Sequence, residues 1–84
     1  MAYELRLAPL GEGVTEATVV RWHKGEGDIV RRGELLLEVM TDKVNVELEA
    51  PVSGTLERIG AREDQVVKIG ELLALIREFN SEGG

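Results

Sequence analysis

Leu35-Leu36-Leu37-Glu38-Val39-Met40-Thr41-Asp42-Lys43-Val44-Asn45-Val46-Glu47-Leu48-Glu49 is the most telling stretch of this chain. Val44, Val46 and Leu48 alternate with Asn45, Glu47 and Glu49, the period of a strand with one buried face. The run before it is rich in Leu and Val and reads as a second strand. Thr41-Asp42-Lys43 joins the two. A tight hairpin commonly uses Asn-Gly or Asp-Gly, because its central residues often need positive φ. Here a lysine stands at the tip. Glycines mark the other reversals: Gly11 and Gly13, Gly25 and Gly27, Gly33, Gly54, Gly60 and Gly70. A lysine that breaks a local rule with no evident folding advantage is a candidate functional residue.

Outward from this hairpin the chain continues as strands. Leu5 and Leu7 alternate with Glu4 and Arg6. Val19-Val20-Arg21-Trp22 is a less regular run. Leu72, Leu73, Leu75 and Ile76 read as a strand buried on both faces. Strands are predicted near 2–8, 16–23, 28–31, 35–42, 44–50, 54–61, 65–67 and 71–78, an all-β domain. Residues 1–79 form the predicted domain, and the polar stretch 80–84 reads as the start of a flexible linker.

The chain also repeats itself. Moved forward by 37 positions, residues 18–39 meet 55–76 without a gap. Thr18 meets Thr55, Arg21 meets Arg58, Glu26 meets Glu63 and Val30 meets Val67. Gly33-Glu34-Leu35-Leu36 meets Gly70-Glu71-Leu72-Leu73. A looser echo sets Leu7-Ala8-Pro9 beside Glu49-Ala50-Pro51. Two similar β units, neither able to bury its apolar face alone, are expected to pack as a flattened barrel or sandwich with pseudo-twofold symmetry. The Lys43 turn is then expected at one end, with the termini toward the other.

Composition removes many functions. The 84 residues carry 10 basic and 16 acidic side chains, a net charge of −6. Such a surface argues against nucleic acid and anionic membrane as partners. No apolar run approaches the roughly 20 residues of a membrane span. There is no cysteine and one histidine, so thiolate and histidine-cluster metal sites are excluded, and nucleophilic triads have little to work with. The expectation is a cytoplasmic domain. His23 is read as a partly exposed strand-end residue, with Ser53 and Ser81 outside any nucleophile context. Gly11-Glu12-Gly13 and Gly25-Glu26-Gly27 precede no helix and are poor phosphate loops. Trp22 is read as a packing residue. A domain this small buries about 60–65% of its unfolded surface and has little room for a catalytic cleft. An exposed lysine is protonated at neutral pH and a weak nucleophile. Lys43 is therefore a poor catalyst but a good handle, open to covalent modification by another enzyme.

Leu10-Gly11-Glu12-Gly13-Val14-Thr15-Glu16, Val20-Arg21-Trp22, Gly27-Asp28-Ile29-Val30, Gly33, Glu38-Val39-Met40-Thr41-Asp42-Lys43-Val44 and Ala50-Pro51-Val52-Ser53-Gly54, in this order and spacing, resemble the lipoyl domain of dihydrolipoamide acyltransferase components of 2-oxo acid dehydrogenase complexes. The resemblance covers residues 3–78, and the string around Lys43 is most similar to the branched-chain type. It implies a flattened β-barrel of two four-stranded antiparallel sheets with quasi-twofold symmetry. It implies lipoic acid attached to Lys43 by an amide, with Asp42 and Val44 flanking and presenting it. It implies a swinging arm that is acylated by a thiamine-diphosphate-dependent decarboxylase, unloaded at an acyltransferase catalytic domain absent from this chain, and reoxidised by dihydrolipoamide dehydrogenase. A lipoate-attaching enzyme is the further partner implied, and the isolated domain is expected to be a non-catalytic monomer. The loop Gly11, Glu12, Gly13, Val14, Thr15 and Glu16 matches the family's surface loop that contributes to recognition by the decarboxylase. Two alternatives are a biotin carrier of a carboxylase, disfavoured because biotinyl tips read Met-Lys-Met, and an unmodified structural β-barrel.

Overall fold

Alternating apolar side chains produce eight strands in the computed structural model, which describes residues 2–79. They are β1 (Ala2–Arg6), β2 (Glu16–Trp22), β3 (Ile29–Val30), β4 (Leu35–Met40), β5 (Asn45–Glu49), β6 (Gly54–Ile59), β7 (Val66–Lys68) and β8 (Leu72–Glu78). Every predicted strand is present, most of them shorter by one or two residues at an end. The predicted linker, 80–84, lies outside the described residues.

The strands form two four-stranded antiparallel sheets, ordered β1-β8-β6-β3 and β5-β4-β2-β7. Advancing each strand of the first sheet by four places gives the second, so the 37-residue repeat is a structural twofold. Val19, Val30, Leu36 and Val39 meet Leu56, Val67, Leu73 and Ile76 in the repeat, and all eight are buried in one core. Each half thus covers the apolar face of the other, at about 1.5–3 kcal/mol for each large side chain removed from water.

The symmetry extends to single hydrogen bonds. Glu63 Oε2 accepts the Trp22 N–H at 3.3 Å, and Glu26 Oε2 accepts the Ile59 N–H at 2.9 Å. These are the same two repeat positions, each serving the opposite half. The β2–β4 register slips between Val19 and Arg21, and the β6–β8 register slips between Leu56 and Arg58. This bulge explains why 19–22 alternates poorly in the sequence. Asp64 adopts φ 71° where its repeat mate Gly27 adopts φ 92°, the only non-glycine with positive φ among the described residues. Both N–H groups donate to the opposite half, Gly27 to Leu56 O and Asp64 to Val19 O, each at 2.7 Å.

Two expectations need correction. The Ala-Pro echo is misaligned by one residue. Gly33 N–H donates to Ala50 O and its mate Gly70 N–H donates to Leu7 O, both at 2.8 Å, so Leu7 rather than Ala8 is the equivalent of Ala50. Burial enforces this register: Leu7 and Ala50 are in the core, whereas Ala8 is exposed. The β8 strand is not buried on both faces either. Leu73, Ala74 and Ile76 are in the core, but Leu72 and Leu75 are only half-buried, because among the described residues no third layer packs over the outer face of the two-sheet sandwich.

The reversal before β4 carries a charge worth testing. Glu34 Oε1 accepts the Arg31 N–H at 3.1 Å, and Glu34 Oε2 lies 3.3 Å from Lys24 Nζ. The Arg31 N–H, with help from Lys24, holds the Glu34 carboxyl below its ordinary value of 4.5. A depressed carboxylate stabilises the fold above its unfolded pKa, and that contribution is lost as pH falls through the folded value. Gln65 makes the same type of cap with the Arg62 N–H, so Glu34→Gln should keep the cap and remove only the charge. The variant is expected to melt slightly below the parent at pH 7, with the gap closing as pH falls below 4.5 and Glu34 takes up its proton, read by thermal circular dichroism.

Candidate functional site

The hairpin between β4 and β5 is closed by side-chain chemistry rather than by glycine. Thr41 N–H donates to Val44 O at 2.8 Å. The return bond does not go to the Thr41 carbonyl. Val44 N–H donates to Thr41 Oγ1 at 3.1 Å, and Lys43 N–H donates to the same oxygen at 3.2 Å. The Thr41 hydroxyl in turn donates to Val44 O at 3.0 Å. None of the residues 41–44 has positive φ. The turn therefore needs no glycine, and its absence has a structural reason that sequence reading missed. A threonine hydroxyl capping the N–H groups two and three residues on is a recognisable local motif, and Thr41 was the signal available.

Lys43 sits beyond this knot and is exposed, with Asp42 and Val44 exposed on either side. Among the described residues its ammonium enters no ion pair, the pairs being Arg6–Glu4, His23–Glu38, Lys24–Glu34 and Arg77–Glu57. Asp42, adjacent in sequence, does not clamp it. Met40 and Val44, 46% and 58% exposed, leave an apolar rim on the strands that carry the turn. Met40 has a place in the strand and in the family string read from the sequence, but not in the site expected from it.

The structure brings most of the predicted recognition loop to the same place. Gly13, Val14, Thr15, Glu16, Ala17 and Thr18 line one wall of an open groove of about 550 Å³, and Met40, Thr41 and Asp42 line the other. The backbone register accounts for it, since Thr18 of β2 pairs with Met40 of β4. Gly11 and Glu12 do not line the groove. Gly11 shapes the loop through its carbonyl, which accepts the Val14 N–H at 3.2 Å.

The other chemistry-bearing residues remain apart from this site. His23 Nε2 and Glu38 Oε1 lie 2.9 Å apart, and Ser53 Oγ accepts the Arg32 N–H at 2.9 Å, so His23 and Ser53 form no dyad. Ser81 lies outside the described residues. The Trp22 indole N–H donates to Ala61 O at 2.7 Å while its ring packs on the core, which makes it a packing residue.

Against known proteins, residues 3–76 match the family model described as biotin-requiring enzyme. The chain is 45% identical over 74 residues to the dihydrolipoyllysine-residue acetyltransferase component of the pyruvate dehydrogenase complex of Acholeplasma laidlawii, covering 88% of this chain and 14% of that protein. It is 44% identical over 79 residues to the succinyltransferase component of the 2-oxoglutarate dehydrogenase complex of Rickettsia typhi, covering 94% of this chain and 20% of that protein. The chain thus spans a fifth or less of these relatives. Among solved structures, the lipoyl domain of the Azotobacter vinelandii 2-oxoglutarate dehydrogenase complex superposes with a TM-score of 0.75 at 35% identity, over 89% of this chain and 95% of that one. A multi-domain long-chain acyl-CoA carboxylase shares the fold, with a TM-score of 0.77 at 23% identity over 98% of this chain and 8% of that one.

Proposed function

The chain belongs to the biotin- and lipoyl-bearing domain family as a lipoyl domain, and from that premise we propose that Lys43 is the residue that carries its lipoic acid. The observation that supports this reading most strongly is the Lys43 side chain itself: exposed, in no ion pair among the described residues, and mounted on a turn whose backbone is already fixed. The site fits the group. Amide formation joins the Lys43 Nζ to the lipoate carboxyl with loss of water and removes the ammonium charge, and no partner of that charge is left stranded here. Once bound, the group supplies a dithiolane that takes up an acyl group together with two electrons from a 2-oxo acid decarboxylase.

This chain's own contribution is mechanical. A two-sheet sandwich holds the turn rigidly, and the lysine stem adds a flexible tether. Tethering converts delivery between active sites into a local search at high effective concentration. In this reading the domain is a non-catalytic, monomeric carrier that visits a thiamine-diphosphate-dependent decarboxylase, an acyltransferase core and dihydrolipoamide dehydrogenase. The groove between 13–18 and 40–42 places Glu16 and Thr15 beside the lysine turn, which suits them to recognition by the decarboxylase. The lack of cysteine keeps competing thiolates away from the dithiolane. The branched-chain likeness of the Glu38–Val44 string has no counterpart in the relatives above, which come from pyruvate and 2-oxoglutarate complexes, so the substrate class proposed is a 2-oxo acid.

The test is the intact mass of the chain after incubation with lipoate ligase, lipoate and ATP, and separately with biotin ligase, biotin and ATP. A lipoyl-sized gain with the first and none with the second is the expected result. A biotin-sized gain would instead make the chain a biotin carrier, and no gain with either ligase would leave it an unmodified β-barrel.

A further inference from the structure

We propose that Thr41 is a positioning residue for attachment, its buried hydroxyl holding the turn in the backbone geometry in which the attaching enzyme receives Lys43. This rests on the carrier reading of Lys43. Thr41 is the single buried polar or charged side chain among the described residues, 8% exposed. A buried hydroxyl is retained against its desolvation cost only when it is hydrogen-bonded. This one is engaged three times, accepting from the Lys43 and Val44 N–H groups and donating to Val44 O.

The device is also peculiar to this end of the molecule. The reversals at Gly25, Arg31, Arg62 and Lys68 are each capped by an acceptor three residues later, Asp28, Glu34, Gln65 and Glu71 respectively. Those four obey the 37-residue repeat. Thr41 does not, because its repeat position is Glu78, which pairs with Gly54 in a strand. The turn that bears Lys43 is thus held by a bond set the twofold does not supply.

The hydroxyl acts on the tip alone. Without it, the Thr41 N–H still donates to Val44 O and Met40 still pairs with Asn45, so the hairpin stays closed. What loosens is the Lys43 and Val44 backbone, whose N–H groups pass to water. An enzyme that must receive the lysine in one geometry then has to order those residues on binding, which weakens binding. The loss falls on KM, with kcat close to the parent's, because the ordering is complete before the amide forms.

The experiment measures kcat/KM for lipoate ligase on the parent chain, Thr41→Val, Thr41→Ser and the core control Ile76→Val. Amide hydrogen exchange is followed by NMR on the same samples. Thr41→Val is expected to lower kcat/KM about tenfold through KM, as expected from losing a hydroxyl that bonds two N–H groups. Exchange should accelerate at Lys43 and Val44 but not at Val19 or Val39. Thr41→Ser restores both readings, and Ile76→Val slows neither. The inference is overturned if Thr41→Val is loaded at the parent rate, if serine fails to rescue, or if Ile76→Val slows loading as much. A parent chain that takes no lipoyl group overturns the carrier reading and this inference with it, whereas a loaded parent beside an equally loaded Thr41→Val overturns this inference alone.

Discussion

Lys43→Arg is expected to abolish lipoyl loading completely while leaving the melting temperature unchanged. Arginine keeps the positive charge and the long stem, but its delocalised guanidinium is protonated at any working pH and offers no free amine for an amide bond. Nothing is lost from the fold, because the Lys43 ammonium enters no ion pair among the described residues. Surface substitutions of this kind stay within about 0.5 kcal/mol. Two lysines remain, and neither is presented in the same way. Lys24 is drawn to Glu34 at 3.3 Å, and Lys68 ends strand β7 at a reversal held by Glu71, whose Oε1 accepts the Lys68 N–H and whose N–H donates to Lys68 O, rather than by a threonine hydroxyl behind the lysine. Intact mass after ligase treatment, paired with a thermal melt, reads both halves of this expectation. A residual lipoyl-sized gain would move the attachment site to one of those two lysines.

Gly54→Ala should instead destroy stability at a distance from the lysine. Gly54 opens β6 and pairs with both Val30 and Glu78, so neighbouring strands flank it on two sides. A Cβ there would lie 2.2 Å from Arg77 O, 2.8 Å from Arg77 C and 2.9 Å from Glu78 Cα. All three are backbone atoms of β8, and no side-chain rotation relieves the overlap. Overpacking a well-packed interior costs about 1–3 kcal/mol, and a clash with backbone belongs at or above the top of that range. The whole domain is stable by about 4–13 kcal/mol at ordinary stability per residue. A loss of about 3 kcal/mol lowers the melting temperature by about 12–24 °C in a domain of this size. Thermal circular dichroism checks it. A shift of only a degree or two would mean that β6 and β8 are not in such close contact.

The repeat is what made this fold legible. Val19, Trp22, Val30, Leu36 and Val39 sit 37 residues before Leu56, Ile59, Val67, Leu73 and Ile76, and the sheets superpose the same pairs. Alternation in 44–49 and glycine punctuation placed the strands, whereas strand ends were overextended because side-chain period does not mark where pairing stops. The first strand was aligned by the letters Ala-Pro, but hydrogen bonding and burial align it through Leu7 and Ala50. Lys43 stood out because a turn without glycine looked like a broken rule. The rule was in fact met by Thr41, whose role depends on a hydroxyl folding back over two following N–H groups. Long-range contacts stayed invisible for a different reason. The Trp22 indole reaches Ala61 O across 39 residues, and no local pattern encodes that.

The central claim, a lipoyl group on one lysine at the apex of a fixed turn, is tested most directly by tryptic peptide mass spectrometry of the ligase-treated chain. Trypsin cleaves after lysine and arginine, and Lys43 is the only such residue between Arg32 and Arg58. An acylated lysine resists cleavage, so the account predicts an uncut peptide spanning residues 33–58 that carries the added lipoyl mass. Cleavage after Lys43, with the added mass on a peptide containing Lys24 or Lys68, would contradict it.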